Sequence, residues 1–253
     1  MNRWIGIKRA TLKAATVQRE LNTLTAILND AVRNGLIERN PATFADKIRG
    51  VEARQRFVTD NEWQTILSTC ERIEKQQHEG KQQAPHRIRG WLRHYVEWAY
   101  NSGMRRSEIL ALRWDNVRVV SEDHMVIEVL NSKNDKSRFV SCTPDMKAIV
   151  DALRLLPRMD GDDRLFPLSL STLKGSLAEL WKATGLNDVR LHDLRRSHAT
   201  ILMSKGIDPR TIAGRLGHSG TAMLAKHYAV AEETKRRLKH LEKLHNLSKL
   251  DNV

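Results

Sequence analysis

Apolar residues recur at helical spacing over the first part of the chain. From Thr16 the spacing of three to four residues predicts an amphipathic helix, formed by Val17, Leu21, Leu24, Leu28, Ala31 and Val32. Gly35 suits the position just past the end of that helix. Asn40-Pro41 then interrupts the pattern, and residues 47–56 form a polar, basic connector.

A second helical region begins at Thr59-Asp60-Asn61-Glu62, which has the pattern of a capping box. The helix that follows it is expected to end in the polar stretch 76–85. Another helix carries Trp91, Tyr95 and Trp98 up to Ser102-Gly103. Because these aromatic residues lie at core spacing, we interpret them as packing residues rather than as groups that stack on bases.

After Trp114 the apolar period changes from helical to extended. Three short strands are predicted, at residues 117–120, 125–129 and 139–140, with Lys133 in the turn before the third strand. Helices are predicted again from Thr143-Pro144 and over residues 170–183. The remainder is helical, with breaks at Gly185, Gly206 and Gly217. The predicted fold class is therefore mainly α with a small antiparallel β-sheet (α+β).

The charge composition of the chain indicates the kind of molecule that it binds. A chain of 253 residues with a formal net charge of +13 has the electrostatic character of a nucleic-acid-binding protein. Residues 1–56 hold 11 Lys/Arg against 5 Asp/Glu, an excess of 6. This excess makes the N-terminal piece a candidate DNA clamp, and a solvated helical surface is the alternative.

Other features narrow the class of protein. No apolar run approaches the ~20 residues that a membrane span needs, and no signal peptide is visible, so we expect a cytoplasmic protein with no membrane partner. Binding to DNA would make it nucleoid-associated. Cys70 and Cys142 lack the spacing of metal ligands and are expected to be reduced, buried thiols. The absence of a GxxxxGK[ST] loop and of a compact acidic cluster predicts no cofactor and no metal.

The candidate chemistry lies in an ordered set of polar residues: Arg105, Lys133, His192, Arg195, His218 and Tyr228. His192 and Arg195 are three apart, so they share one face of a helix. Arginine can grip two oxygens of a phosphate, a lysine can protonate a departing oxygen, and a phenol is far more acidic than the hydroxyls of serine and threonine. Each residue alone is a weak signal. The order of the set, with a β-hairpin between Arg105 and the pair His192 and Arg195, indicates a site that splits a phosphodiester.

This ordered set closely resembles the tyrosine recombinase (phage integrase) family, and the resemblance covers essentially the whole chain. It implies that Tyr228 attacks DNA to form a 3′-phosphotyrosyl intermediate, without metal or ATP. Arg105, Lys133, His192, Arg195 and His218 would form the phosphate-activating set. Glu108 would brace Arg105. The interval from His218 to Tyr228 is one residue longer than in many members.

The resemblance also implies an organisation and partners. Residues 1–55 would be a partial, helical core-binding domain, shorter than is usual in the family, and residues 56–253 a catalytic domain with a C-terminal helix over 231–253. The expected function is site-specific recombination by an integrase of a prophage or other mobile element. Its expected partners are double-stranded DNA with attachment-type sites, further copies of itself in a tetramer on DNA, and accessory DNA-bending proteins.

Three alternatives stay open from the sequence. The chain is either an active recombinase, a truncated DNA-binding remnant that no longer recombines, or an enzyme with activity like that of a type IB topoisomerase. A leucine at every third position marks the C-terminal segment: Leu238, Leu241, Leu244, Leu247 and Leu250. This winding stripe suits insertion into a cleft better than packing on a flat core. The resemblance implies that the segment passes to a neighbouring subunit, and packing on its own domain is the alternative.

Overall fold

The computed structural model describes residues 1–51, 54, 56–79, 91–122, 124–130, 137–156 and 161–218, and for residues 76–79 it gives the helical path only. The predicted residues Lys133 and Tyr228 and the predicted helix 231–253 therefore lie outside the described residues. The chain divides into two units, Met1–Gln55 and Arg56–Val253.

The first unit is built from two helices and a short 3-10 turn. They are α1 (Asn2–Thr11), α2 (Ala14–Arg33) and the turn Pro41–Phe44. Helix α2 confirms the predicted amphipathic helix, and Gly35 follows it with a φ of 71°, the left-handed conformation that glycine adopts without strain. Helix α1 was not anticipated, because none of its residues is buried and its apolar positions therefore carry no strong core pattern.

The second unit is mainly helical. Among its described residues the helices are α3 (Asp60–Glu79), α4 (Trp91–Ser102), α5 (Arg106–Ala111), α6 (Pro144–Arg154), α7 (Leu170–Thr184), α8 (Leu191–Ser204) and α9 (Pro209–Leu216). The capping box predicted before α3 is present: Thr59 N–H donates to Glu62 Oε2 over 2.9 Å, and Glu62 N–H donates to Thr59 Oγ1 over 3.4 Å. Helix α4 lies at the centre and packs against α6 and α8.

The predicted strands form one antiparallel sheet. Strands β1 (Val117–Ser121), β2 (His124–Val129) and β3 (Arg138–Ser141) pair in that order. The central strand turns Met125, Ile127 and Val129 into the core, as its alternating pattern predicts. The α+β fold class is therefore confirmed.

The aromatic residues of α4 pack in the core, as predicted. Tyr95 and Trp98 are fully buried, and both rings meet the edge or face of Phe166 at centroid distances of 5.4 and 5.9 Å. Both cysteines are free. Cys70 is buried as expected, whereas Cys142 is only partly buried. Among the described residues, no helix is both long enough and apolar enough to cross a bilayer.

Candidate active site

Arg105 stands at the start of α5, where it is held by a residue of its own helix. Its main-chain N–H donates to Glu108 Oε2 over 2.8 Å, and its Nη1 donates to Glu108 Oε1 over 2.9 Å. A third bond runs from Nη2 to the carbonyl of Gly217 over 2.8 Å. The side chain keeps 41% of its surface exposed. The guanidinium is therefore oriented by the protein and still open to an anion.

Arg195 projects from α8 into a buried position. Only 4% of the residue is exposed. Its Nη1 donates to the carbonyl of Gly103 over 2.7 Å, and its Nη2 donates to the carbonyl of Leu216 over 2.8 Å. Burial and then the charge of Arg105 lower the pKa of Arg195 to about 10. The guanidinium thus remains charged at neutral pH.

The turn Leu216-Gly217-His218, which ends α9, joins the two arginines. Its glycine has a φ of 67°, and His218 N–H donates back to the carbonyl of Ala213 over 2.9 Å. The carbonyls of Leu216 and Gly217 are successive in the chain and accept from Arg195 and Arg105 respectively. Two arginines from distant segments are therefore anchored on one turn, directly before His218.

His192 lies on α8 three residues before Arg195. Partial desolvation, followed by the charges of Arg195 and Arg196, lowers the pKa of His192. A lowered pKa leaves this imidazole neutral at pH 7, the state in which it can accept a proton. The charge of Arg105 contributes in the same direction.

Arg138, which the sequence did not mark as a site residue, binds the Glu108 carboxylate together with Arg105. Arg138, at the start of β3, donates from Nη1 to Glu108 Oε1 over 3.0 Å and from Nη2 to Glu108 Oε2 over 2.8 Å. Burial raises the pKa of Glu108, but hydrogen bonds from Arg138 and Arg105 outweigh it, so the pKa is lowered overall. The expected contact between Glu108 and Arg105 is present, and Glu108 is an ionised acceptor for both arginines.

Arg215, which is partly buried, and the buried His198 form a neighbouring pair that was also missed. Arg215 Nε donates to His198 Nε2 over 3.1 Å, and Arg215 Nη1 donates to the carbonyl of Ser141 over 2.9 Å. Burial, with the charge of Arg215, lowers the pKa of His198 to about 3. The ring is neutral and accepts through Nε2. No local sequence pattern marks these contacts, because each joins separate elements.

The structure thus brings together Arg105, Arg195 and the turn that carries His218, with His192 on the same helix as Arg195. Lys133 and Tyr228 lie outside the described residues, so their predicted places in the site stay predictions. Within the described part of the chain, no group of three or more His, Cys, Asp or Glu side chains is placed to hold a metal ion.

Comparison with known proteins gives matches over most of the chain. The model of the phage integrase family matches residues 56–235. Tyrosine recombinase XerC of Mesorhizobium japonicum is 28% identical over 247 residues, which cover 94% of this chain and 75% of that relative. Tyrosine recombinase XerA of Saccharolobus solfataricus is 31% identical over 118 residues, which cover 47% of this chain and 38% of that relative.

A solved structure has a similar fold. It is the XerH site-specific recombinase bound to a palindromic difH substrate in a post-cleavage complex, with a TM-score of 0.72 and 18% identity. The match covers 97% of this chain and 71% of that chain. At this level of identity the likeness concerns the fold.

Proposed function

The chain belongs to the phage integrase family of tyrosine recombinases, and from this premise we propose that it cleaves and rejoins double-stranded DNA at specific sites through Tyr228. The observation that carries the proposal is the anchoring of Arg105 and Arg195 on successive carbonyls, those of Gly217 and Leu216. Two fixed guanidinium groups next to one turn suit a phosphodiester whose oxygens gain charge during attack.

In the proposed cleavage step, the phenol oxygen of Tyr228 forms a bond to phosphorus and the bond to the 5′ oxygen breaks. The proton of the phenol passes to an imidazole, for which His192 and His218 are the candidates. Lys133 supplies a proton to the departing 5′ oxygen. The resulting 3′-phosphotyrosyl bond conserves the energy of the broken bond. A 5′ hydroxyl from the same or another strand can then reverse the step without a nucleotide cofactor.

We further propose that several copies act together on DNA, as a tetramer that pairs two attachment-type sites. Support comes from family membership and from the basic character of the chain, whose formal net charge is +13. A positive protein of this size is attracted to DNA at long range. The first unit would contact DNA through its cationic excess.

The test is a nicked-duplex assay with a library of randomised core sequences. Cleavage next to the nick releases a short fragment, so the covalent complex accumulates and survives SDS, and the trapped DNA identifies the site. We expect such a complex from the natural chain and none from Tyr228→Phe, with DNA binding nearly unchanged in the variant. Binding without any covalent complex would instead indicate a remnant, and relaxation of plasmids regardless of sequence would indicate a topoisomerase.

A further inference from the structure

One other side chain, that of Arg138, binds the first anchor of Arg105 and packs against the turn that carries the second. We propose that Arg138 is a positioning residue, which acts on cleavage by holding Arg105 in place and makes no contact with DNA. The proposal deepens the proposed function and its kinetic part rests on it. Arg138 begins β3, and only 14% of its side chain is exposed, so it offers little surface to a bound duplex.

The first anchor is the carboxylate of Glu108. Arg138 binds both oxygens of this carboxylate with a planar fork, over 3.0 and 2.8 Å. Arg105 binds the same two oxygens through Nη1 and its main-chain N–H. A carboxylate with two ligands on each oxygen has a defined plane and direction. Removal of Arg138 would leave the carboxylate free to rotate towards the remaining cation.

The second anchor is the carbonyl of Gly217. Arg138 Nε donates to the carbonyl of Arg215 over 3.0 Å, two residues before this glycine. A Cβ built on Gly217 would lie 2.7 Å from Arg138 Nη1 and 2.9 Å from Cζ, so the guanidinium lies directly against the backbone of the turn. Arg138 therefore binds the carboxylate that orients Arg105 directly, and it supports the turn whose Gly217 carbonyl also orients Arg105.

Lysine cannot take over this role. A lysine ammonium is a compact charge on a flexible stem, whereas the arginine fork reaches several acceptors in fixed directions. The three bonds of Arg138 to Glu108 and Arg215 use Nε, Nη1 and Nη2 at once. We therefore expect a lysine at position 138 to keep the positive charge but not to hold Arg105 in place. This result would distinguish a positioning role from a simple electrostatic one.

The kinetic test is a double-mutant cycle in single-turnover cleavage of the selected nicked substrate. Arg138→Gln should slow cleavage by about 10²-fold, the size expected when a catalytic group moves by about 1 Å, and Arg138→Lys should be nearly as slow. In an Arg105→Ala background, Arg138→Gln should change the rate less than about twofold, because the group on which it acts is gone. Independent, multiplicative losses would overturn the proposal.

Arg118→Ala is the matched control, since Arg118 pairs with Glu128 on the same sheet and leaves 58% of its side chain exposed. It should leave the cleavage rate unchanged. If Arg118→Ala slowed cleavage as much as Arg138→Gln, any disturbance of the sheet would slow cleavage. The proposal of a specific role for Arg138 would then be wrong.

A second measurement does not depend on cleavage. In free protein labelled with ¹⁵N-arginine, the Nη–H signals of Arg105, assigned by their loss in Arg105→Lys, should exchange slowly with water. We expect faster exchange in Arg138→Gln and Arg138→Lys but not in Arg118→Ala. Unchanged exchange would overturn the proposal even if cleavage slowed. Absence of any covalent complex from the natural chain would count against the proposed function alone, and the exchange measurement would still decide the role of Arg138.

Discussion

Arg105 and Arg195 differ in solvent exposure. This difference decides which of them can be replaced without also disturbing the fold. The side chain of Arg105 is 41% exposed, so its replacement leaves no buried cavity. Arg195 is 4% exposed and bonds two main-chain carbonyls, so its loss also leaves buried acceptors without their donor. Arg105 is therefore the better residue for a test of catalysis at the phosphate.

Arg105→Ala should reduce the cleavage rate by ~10²–10³, the cost of losing one preorganised donor to a developing oxyanion. Affinity for DNA should fall only slightly, because one phosphate contact among many is lost. Single-turnover cleavage and filter binding measure the two effects. Arg113→Ala is a control of similar exposure, since Arg113 pairs with Asp163 at the surface. Equal losses of binding and cleavage would show that Arg105 only holds DNA.

Gly103→Ala should destabilise the fold by about 2–4 kcal/mol, from left-handed strain and overpacking. Gly103 has a φ of 63°, and a Cβ there would lie 2.6 Å from Leu216 Cδ2 and 2.7 Å from His198 Cδ2. Denaturant unfolding measures the change. Gly185→Ala is the control: its φ is 71° and nothing lies within 4 Å of the added Cβ, so about 1 kcal/mol is expected. Similar losses at both positions would contradict the close packing at Gly103.

At the scale of elements, His198 connects three helices around the site. It projects from α8, interacts with the backbone of Tyr100 at the end of α4, and accepts from Arg215 of α9. Since α8 carries His192 and Arg195 and α9 ends in the Leu216-Gly217-His218 turn, this neutral histidine stabilises the packing on which the geometry of the site depends.

The free energy of unfolding should therefore fall as the pH drops from 7 to 5. In the unfolded chain His198 binds a proton as the pH passes below 6.5, whereas its folded pKa of about 3 prevents protonation in the native state. The stability that His198 contributes is present above pH 6.5 and is lost on acidification towards pH 3, with about 2 kcal/mol lost by pH 5. Chemical unfolding at both pH values measures this slope.

His198→Gln should make that slope shallower, although the variant is less stable at pH 7. His192 also has a lowered pKa and adds to the slope, so His192→Gln serves as the comparison that retains the part due to His198. The carboxylates with lowered pKa values, such as Glu62 with a pKa of about 2, lose their contribution at lower pH. A slope that His198→Gln leaves unchanged would refute the assignment.

At the scale of the whole molecule, the cationic excess of residues 1–56 should appear in the salt dependence of DNA binding. Each phosphate contact contributes about 0.9 to the slope of log affinity against log salt. Arg19 and Arg33 lie on α2 and are exposed, so replacing both with glutamine should reduce the slope by up to about 1.8 if both contact phosphate.

Titration of DNA binding at several salt concentrations measures this slope. Glu38→Gln is the control, because it removes an exposed acidic charge from the same unit. It should not reduce the salt dependence of DNA affinity. If the double variant and the natural chain show the same slope of log affinity against log salt, Arg19 and Arg33 of α2 do not contact phosphate. In that case the proposal that this helix clamps DNA is wrong.

Most of the described helices and strands follow patterns that were visible in the sequence, but α1 does not. Apolar residues at period 3.6 predicted α2 and α4, and the alternation of Met125, Ile127 and Val129 predicted β2, because a buried face must repeat with the geometry of its element. Helix α1 buries no residue, so its sequence lacks the contrast between two faces on which such a prediction depends.

The sequence by itself determined which chemical groups the chain carries and in what order, and it predicted that His192 and Arg195 share one helix. The tertiary structure alone decided how those groups are held. The bond from Arg105 to the Gly217 carbonyl joins residues 112 apart, and Arg138 reaches Glu108 across 30 residues. Local periodicity reports only which face of an element is buried. Contacts such as these arise from the packing of α5, α8, α9 and β3 against one another, and that packing has no periodic signature in the chain.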